Sequence, residues 1–487
     1  MTDAPRFKVV ALDLFERDVH LRLPFRFGAA TIHAAPQAFV RARIRADDGR
    51  EATGWTAELM VPKWFDKNPQ RTNVENIDDL RHALTLARDT YVSDRGSRSA
   101  FGHASLHYRT LLASGASAGL NPLIVSFGGA LADRAILDAL CRLHETSFAA
   151  AIRVNLPGLD ASLAPDLAHF PLDSFLAQLV PTPAIAARHT VGLLDPIRAT
   201  EVGARPDDDL PVALDEVIAF YGHKHFKLKL SGNPERDVDR LARIAAVLDA
   251  LPAIAVTLDG NEQFEDGDVL IRFWRELRAR RDLARFAESV LYLEQPLPRK
   301  IALDADLRAL AGELPLLIDE SDETFDAFPR ARRRGYTGVS SKNCKGPYKS
   351  LINAARCANG TPDARLFLSA EDLTAQCGLA VQQDLALASL LGVTHVERNG
   401  HHYAAGFAAQ GAGLLEQATF AAAHPDLYVR DRTGVRLDIR EGRIALGSLD
   451  APGFAAAAVP DVESLRPMHR DATASSVEPR PRAAPHS

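Results

Sequence analysis

The chain has 487 residues, of which 46% are hydrophobic and 25% charged, so it can build a large core and more than one structural unit. A formal net charge of -6 and the lack of an arginine-rich arm argue against nucleic-acid binding, and the four cysteines, without a CxxC pair, indicate neither a disulfide framework nor a zinc cluster. No run approaches the roughly 18–20 apolar residues of a membrane span, and no signal-peptide pattern opens the chain, so we expect a cytoplasmic protein without a membrane segment.

Residues 1–145 are predicted to form an α+β domain. Val40, Ala42 and Ile44 alternate with arginines, which is typical of a half-buried strand, and Asp48 and Gly49 follow as a hairpin turn signal. Helix-like segments come next. Residues 146–188 fit neither pattern, so we interpret them as an insertion or a connection.

Residues 189–400 alternate strictly between short apolar runs and amphipathic helices. Eight such runs indicate a parallel sheet with both faces covered, and eight strands close a TIM barrel. An open doubly wound sheet is the alternative, but no GxGxxG follows a strand. The runs are TVGLLDP, HFKLKL, AIAVTLD, VLYLEQP, LPLLIDE, TGVSSK, ARLFLSAED and VTHVERN.

The C-terminal part is predicted to return to the first domain. Residues 401–465 include LYVRDRTGVRLDIREGRIAL, which is typical of a strand pair. Residues 466–487 contain four prolines and no aromatic residue, so we predict a disordered tail.

Three acidic residues stand at the ends of the third, fourth and fifth barrel strands: Asp259, Glu294 and Asp319. Chemistry in a barrel is built where the carboxyl ends of the strands converge. One aspartate after a strand is usually a helix cap, but three converging carboxylates repel one another unless a cation neutralises them. An all-oxygen set favours a hard ion, so the sequence predicts one Mg²⁺.

Lysines flank this acidic set on both sides. Lys227 and Lys229 are two residues apart on the second strand and share one face, and Lys342 ends the sixth strand across the barrel mouth. We interpret Lys229 and Lys342 as an acid/base pair, and Lys227 as the electrostatic modulator of Lys229 and a contact for a substrate carboxylate. An edge strand with solvated lysines is the alternative for the KLK motif taken alone.

The combined pattern resembles the enolase superfamily, in its muconate-lactonizing-enzyme-like subgroup. The motifs that carry the resemblance are KLK, LDGN, LEQP, IDES and SSKNCKG, with PFRFGAATIH and DDGREATGW in the first domain, and together they cover most of residues 5–445. The resemblance implies a modified TIM barrel, (β/α)7β, with an α+β capping domain built from the N-terminal region and the C-terminal return. It also implies Mg²⁺, a small-molecule carboxylate substrate, abstraction of its α proton to a metal-stabilised enediolate, and a homo-oligomer.

Other residues near the predicted site are candidate substrate contacts. Glu371 follows the seventh strand and Glu397 follows the eighth, and a structural or peripheral role is the alternative for both. Trp64, Phe65 and Lys63 lie in a cap loop that the resemblance places over the mouth. The mandelate-racemase-like subgroup uses a histidine after the seventh strand, where this chain has LSAED, so that subgroup is disfavoured.

Several outcomes remain open at the level of the sequence. Epimerisation, dehydration and cycloisomerisation share the enolate step. A binding protein that keeps the metal without turnover is the alternative from another functional class, and a metal-dependent aldolase or hydrolase would need no second lysine.

Overall fold

An antiparallel sheet and three long helices form the first part of the protein. The computed structural model describes residues 4–28 and 30–468. The sheet pairs its strands in sequence order, and Gly49, with φ +88°, forms the predicted turn between the second and third. The elements are β1 (Phe7–Phe27), β2 (Ala30–Ala46), β3 (Glu51–Leu59), α1 (Asn73–Ser93), α2 (Ala100–Ser117) and α3 (Pro122–Leu143).

Helix α3 packs directly on strand β3 at Gly54. A Cβ atom at this position would lie 2.1 Å from the backbone nitrogen of Ala139, so only glycine allows the approach. The helix begins with Asn121, whose side chain accepts a hydrogen bond from the backbone of Ile124, followed by Pro122 in the first turn. The α3 helix is largely buried and forms the centre of the core of the cap.

Residues 146–188, which we interpreted only as an insertion or a connection, pack against the cap. They carry α4 (Phe148–Arg153) and α5 (Leu172–Gln178), and apolar side chains of both helices join the core formed by α1, α2 and α3. The first barrel strand begins at Ala184 rather than at residue 189. This segment therefore adds to the core of the cap before the barrel starts.

The barrel is closed and parallel. Within the described residues eight strands form one ring in sequence order, because the last of them pairs in parallel with the first. At least one helix lies between every two successive strands, as the alternation predicted. The elements are β4 (Ala184–Val191), α6 (Leu214–Tyr221), β5 (His225–Lys229), α7 (Pro234–Leu248), β6 (Ala255–Asp259), α8 (Gly267–Ala279), α9 (Ala284–Glu288), β7 (Val290–Glu294), α10 (Arg299–Ala302), α11 (Arg308–Ala311), β8 (Leu316–Ile318), α12 (Ala327–Arg332), β9 (Gly338–Ser341), α13 (Pro347–Ala358), β10 (Phe367–Ala370), α14 (Leu379–Leu390) and β11 (His395–Arg398).

The C-terminal part differs from its prediction in one respect. The predicted strand pair exists, but its first two strands form a separate hairpin, and a third strand adds antiparallel to β4 of the barrel. Within the predicted return, Phe454 stacks on Phe148 of the cap, and its backbone nitrogen donates to Asp138. Arg466 and Pro467, which we predicted to be disordered, also return to the cap and pair with β1. The elements are α15 (Gly400–Tyr403), α16 (Leu414–Ala423), β12 (Tyr428–Asp431), β13 (Gly434–Leu437), β14 (Arg443–Ala445) and β15 (Arg466–Pro467).

Residues 469–487 of the predicted tail lie outside the described residues. Among the helices that the structure describes, none combines the length and the apolar character needed to cross a membrane.

Candidate active site

The strand ends place the predicted site residues side by side. Lys229 on β5 is the register partner of Asp259 on β6, which is the register partner of Glu294 on β7. Asp319 directly follows β8, and Lys342 directly follows β9. The barrel therefore brings the three acids and the lysines to one end of the ring, as predicted.

A cavity of about 20 Å³ lies at this end of the barrel. The volume suffices for about one water molecule. Barrel residues and apolar cap residues share its lining: Phe25, Phe27, Val61, Trp64, Lys227, Lys229, Asp259, Asn261, Asp319, Lys342, Asp372, Leu373, Thr374, Glu397 and Asn399.

Lys227 lies at the centre of a buried ionic cluster. Its ammonium group donates hydrogen bonds to Glu294 at 2.9 Å, to Glu371 at 2.7 Å and to Glu397 at 3.0 Å, and lies 3.0 Å from Oδ2 of Asp259. Burial alone would lower the pKa of Lys227, but these four carboxylates hold that pKa well above its usual value. Lys227 therefore stays charged and compensates the surrounding acids.

The two predicted proton-transfer lysines each pair with a predicted metal ligand. Lys229 donates to Oδ2 of Asp259 at 2.6 Å, and Lys342 donates to Oδ2 of Asp319 at 2.7 Å. Burial raises the pKa values of both aspartates, but Lys227 and Lys229 outweigh it at Asp259, and Lys342 and Lys345 outweigh it at Asp319, so both pKa values are lowered. Asp319 in turn raises the pKa of Lys342, against the effect of burial.

Lys345 is a site residue that the sequence reasoning missed. It is buried and donates to Oγ of Ser340 at 2.6 Å, and it lies 3.3 Å from carboxylate oxygens of both Asp319 and Asp322. The only sequence signal was a second lysine in SSKNCKG, three residues after Lys342. Asp319 therefore has a lysine on each of its two oxygens.

Glu371 does not occupy the place predicted for a substrate contact. It is fully buried outside the cavity lining, where it binds Lys227 and accepts hydrogen bonds from Arg188 at 2.5 Å and from the Tyr292 hydroxyl at 3.1 Å. The residue follows β10, and its carboxylate turns toward interior side chains of β4 and β7 instead of the mouth.

Glu397 does line the cavity, as expected of a substrate contact. Its carboxylate already accepts hydrogen bonds from Lys227, from the Thr190 hydroxyl at 2.6 Å and from the backbone nitrogen of Asp372 at 2.8 Å. Burial would raise its pKa, but Lys227, Lys229 and Lys342 hold that pKa well below the usual value. Glu397 is thus ionised, and both of its carboxylate oxygens already accept hydrogen bonds.

The cap covers the mouth with apolar side chains. Trp64 stacks over the ammonium group of Lys342, with 4.1 Å between the nitrogen and the ring centroid. Phe65 instead packs edge-on against Phe127 of α3, and Lys63 donates to backbone carbonyls of its own loop. Of the three cap residues expected at the substrate, only Trp64 borders the cavity.

Two basic residues fasten this cap loop to the barrel. Lys67 donates to Glu320 at 2.9 Å and lies 2.8 Å from Glu262. Arg299 binds Glu262 as well, and it donates to the backbone carbonyls of Trp64 and Phe65, each at 2.9 Å. Ion pairs between cap and barrel thus hold this loop, residues 60–72, over the cavity, and we call the loop the lid.

The donor set fits a hard divalent cation. Asp259, Glu294 and Asp319 are at most 1% exposed and supply only oxygen atoms. Within the described part of the chain, Oε2 of Glu294 accepts no hydrogen bond, although it lies 2.8 Å from the ammonium group of Lys227. Lysines compensate Asp259 and Asp319, whereas burial and the neighbouring acids Asp259 and Glu371 raise the pKa of Glu294 well above its usual value. A bound cation would supply the positive charge that Glu294 needs to ionise.

Comparison with known proteins agrees with this architecture. No protein-family model and no curated protein matches the sequence. Among solved structures, muconate lactonizing enzyme from Mycobacterium smegmatis, complexed with muconolactone, is 18% identical with a TM-score of 0.59, covering 94% of this chain and 98% of that one. Dipeptide epimerase from Enterococcus faecalis, complexed with Mg and a dipeptide, is 13% identical with a TM-score of 0.57, covering 92% and 99%.

An enolase from Bradyrhizobium, complexed with magnesium and mandelic acid, is 16% identical with a TM-score of 0.58, covering 94% of this chain and 97% of that one. At such identities the likeness establishes the fold, which is the capping domain and barrel shared by enzymes of the enolase superfamily. Magnesium and small carboxylate ligands are present in several of these neighbours.

Proposed function

We propose that the chain is an enzyme of the enolase superfamily, in the muconate-lactonizing-enzyme-like subgroup, that abstracts the proton α to a substrate carboxylate. One observation carries the proposal: Lys229 and Lys342 border the same small cavity as Asp259 and Asp319. Their strands, β5 and β9, are four apart in a ring of eight, so the two ammonium groups approach the cavity from opposite sides.

This arrangement suits proton exchange at a carbon atom held between the lysines. One lysine, as the neutral amine, takes the α proton from one face of the substrate and becomes an ammonium group. The other, as an ammonium group, delivers a proton to the opposite face and becomes a neutral amine. Asp259, Glu294 and Asp319 would hold Mg²⁺, which would supply positive charge to stabilise the charge that develops on the substrate carboxylate. Lys227 keeps Glu294 and Glu397 in place, and the cap excludes water.

The lining also bears on the class of substrate. Phe25, Phe27, Val61 and Trp64 give the cap side of the cavity an apolar surface, so we propose a carboxylic acid with a compact apolar group. A cavity of about 20 Å³ does not hold such a molecule, so the lid must open for entry. Epimerase, lyase and cycloisomerase outcomes all follow from the first step, and the family resemblance adds the proposal of a homo-oligomer.

The test is solvent exchange at the α carbon. The protein is incubated in D₂O with Mg²⁺ and a panel of carboxylic acids, and mass spectrometry detects a gain of deuterium without knowledge of the product. Exchange should occur in the native protein and in Lys224→Ala, which changes an exposed lysine next to β5. It should be lost in both Lys229→Ala and Lys342→Ala, whereas exchange that survives both changes would refute the assignment.

A binding protein that retains the metal without turnover is the second candidate. The small covered cavity favours it, because the lid ion pairs made by Lys67 and Arg299 oppose opening. Calorimetric binding of an acid from the same panel, with no deuterium gained by any member, would support this candidate over the enzyme.

A further inference from the structure

Three histidines from distant parts of the sequence meet outside the barrel wall. His189 lies on β4, His223 precedes β5, and His401 lies in α15 after β11. Arg188 and Thr190, the neighbours of His189, bind Glu371 and Glu397 inside the barrel, so strand alternation turns His189 to the outer face. The three rings are at most 8% exposed.

The geometry of the three rings is nearly symmetric. Their centroids are 5.3 Å apart for His189 and His223, 5.4 Å for His189 and His401, and 5.3 Å for His223 and His401. One nitrogen of each ring lies within 4.8 Å of the chosen nitrogens of the other two. Imidazoles bound tetrahedrally to one ion at about 2.0–2.1 Å also have centroids about 5 Å apart.

The ring nitrogens lack partners where a metal would need them. Among the described residues, Nδ1 of His189, Nε2 of His223 and both nitrogens of His401 are buried without a hydrogen bond. Nδ1 of His223 lies 3.0 Å from the carbonyl oxygen of Ala187. Since a carbonyl only accepts, Nδ1 carries the proton and the unpartnered Nε2 keeps a lone pair that can bind a metal.

The electrostatic surroundings keep the imidazoles neutral, which is the form that binds metals. Burial and the neighbouring histidines hold the pKa values of His189 and His401 well below the usual value, and burial lowers that of His223 to about 4. The cations that face His401 are already paired, Arg398 with Asp372 and Asp384, and Arg436 with Asp431.

We propose that His189, His223 and His401 form a second metal site, distinct from the acidic one, that binds a borderline divalent ion such as Zn²⁺ through three imidazole nitrogens. Neutral imidazole suits zinc, whereas Mg²⁺ prefers the oxygen donors of the candidate active site. The fourth position is left for water, and His402, whose ring centroid lies 4.9 Å from that of His189, adjoins the cluster.

The site joins β4, the start of β5 and the loop after β11, next to where β4 pairs with β5 and β11 in the barrel. His401 follows Asn399 by two residues, and Asn399 lines the candidate active-site cavity. A metal ion that ties α15 to β4 and to the start of β5 fixes the loop after β11 at the barrel mouth. Its role is structural, and it does not depend on the proposed enolisation.

Metal binding to the whole protein tests the proposal. The protein is freed of metal with a chelator, supplied with Zn²⁺ or Co²⁺ in the presence of millimolar Mg²⁺, and passed through a desalting column before its metal content is measured. We expect one bound equivalent, the ligand-field absorption of tetrahedral Co²⁺, and zinc X-ray absorption showing nitrogen ligands at about 2.0–2.1 Å.

Variants separate this site from the acidic one and from nonspecific binding. His401→Gln should lose more than the roughly 10–100-fold in affinity that a lost hydrogen-bond partner of a ligand costs. Glu294→Gln and His424→Gln should bind as the native protein does, since His424 is an equally buried histidine outside the cluster. Equal binding by His401→Gln, zinc bound through oxygen or sulfur, or no zinc retained by the native protein would each overturn the proposal.

Discussion

Arg188 offers the sharpest test of how the barrel interior is stabilised. Its guanidinium group is fully buried and donates to Glu371 at 2.5 Å, to the Ser369 hydroxyl at 3.2 Å and to the Ala370 carbonyl at 3.1 Å. It also lies over the ring of Tyr292, 5.7 Å from the centroid. The change Arg188→Met keeps an apolar stem and removes all of the polar contacts.

The expected loss of stability depends on the contacts that Glu371 keeps after the change. Removing one partner of a buried ion pair costs about 3–5 kcal/mol, and each neutral hydrogen bond that is lost adds about 1 kcal/mol. Lys227 still binds Glu371 at 2.7 Å, and methionine packs well against Tyr292, so both effects reduce the loss. We expect the free energy of unfolding to fall by about 4 kcal/mol, within the range for a broken buried pair.

Urea denaturation at neutral pH in the presence of a chelator measures this loss. The double variant Arg188→Met/Glu371→Gln should show a coupling energy of about 2 kcal/mol, because the carboxylate no longer needs a second cation. Arg440→Met is the control, since the Arg440 side chain is 79% exposed where it pairs with Asp438 at 2.8 Å, and its loss should cost less than about 1 kcal/mol. An Arg188→Met protein as stable as this control would refute the reasoning.

Three further predictions concern the lid, the cap and the acidic site. Burial raises the pKa of Glu262, but Lys67 and Arg299 outweigh burial and lower this pKa to about 2. The ion pairs of Glu262 therefore stabilise the folded protein by up to about 3 kcal/mol above pH ~4.5, and this contribution is lost as the pH falls toward 2. Stability measured across this range should fall more steeply in the native protein than in Glu262→Gln, and equal slopes would contradict the pairing. Gly54→Val should lower the unfolding free energy by about 3 kcal/mol or more, because the added atoms overlap the α3 backbone, and an unchanged urea midpoint would contradict the close approach. Mg²⁺ should raise the melting temperature of the native protein but not that of Asp319→Asn, and an equal rise would place the ion elsewhere.

Much of the fold could be predicted from the sequence, because the patterns that indicate strands and helices are local. Alternation of apolar runs and helices predicted the closed barrel, and the position of acids and lysines at strand ends predicted which side chains meet. Parallel strands converge at their carboxyl ends whatever their exact register, so Asp259, Glu294 and Asp319 could be placed together without coordinates.

The features that could not be predicted from the sequence depend on contacts between distant segments. Arg188 stands in no motif that the sequence analysis used, and Lys345 lies in SSKNCKG without a predicted role. The importance of both residues follows from their contacts with Glu371 and Asp319 in the folded chain. The histidine cluster is of the same kind, since its members come from three separate segments. The sequence did not indicate where the C-terminal strands pair, because a strand pattern shows that a strand exists and not which strand it joins.

The pairing of β15 with β1 has a consequence for synthesis on the ribosome. Phe15 and Glu16 pair with Pro467 and Arg466, so ~450 residues must be translated before this part of the edge of β1 is covered. At about 5–20 residues per second, the edge of β1 stays open for roughly 20–90 s while the barrel emerges. An open strand edge is a template for pairing with other chains, so the middle of β1 is exposed to such pairing during this time. Slowed elongation in the last third of the message should therefore lower the yield of folded protein more than the same delay in the first third.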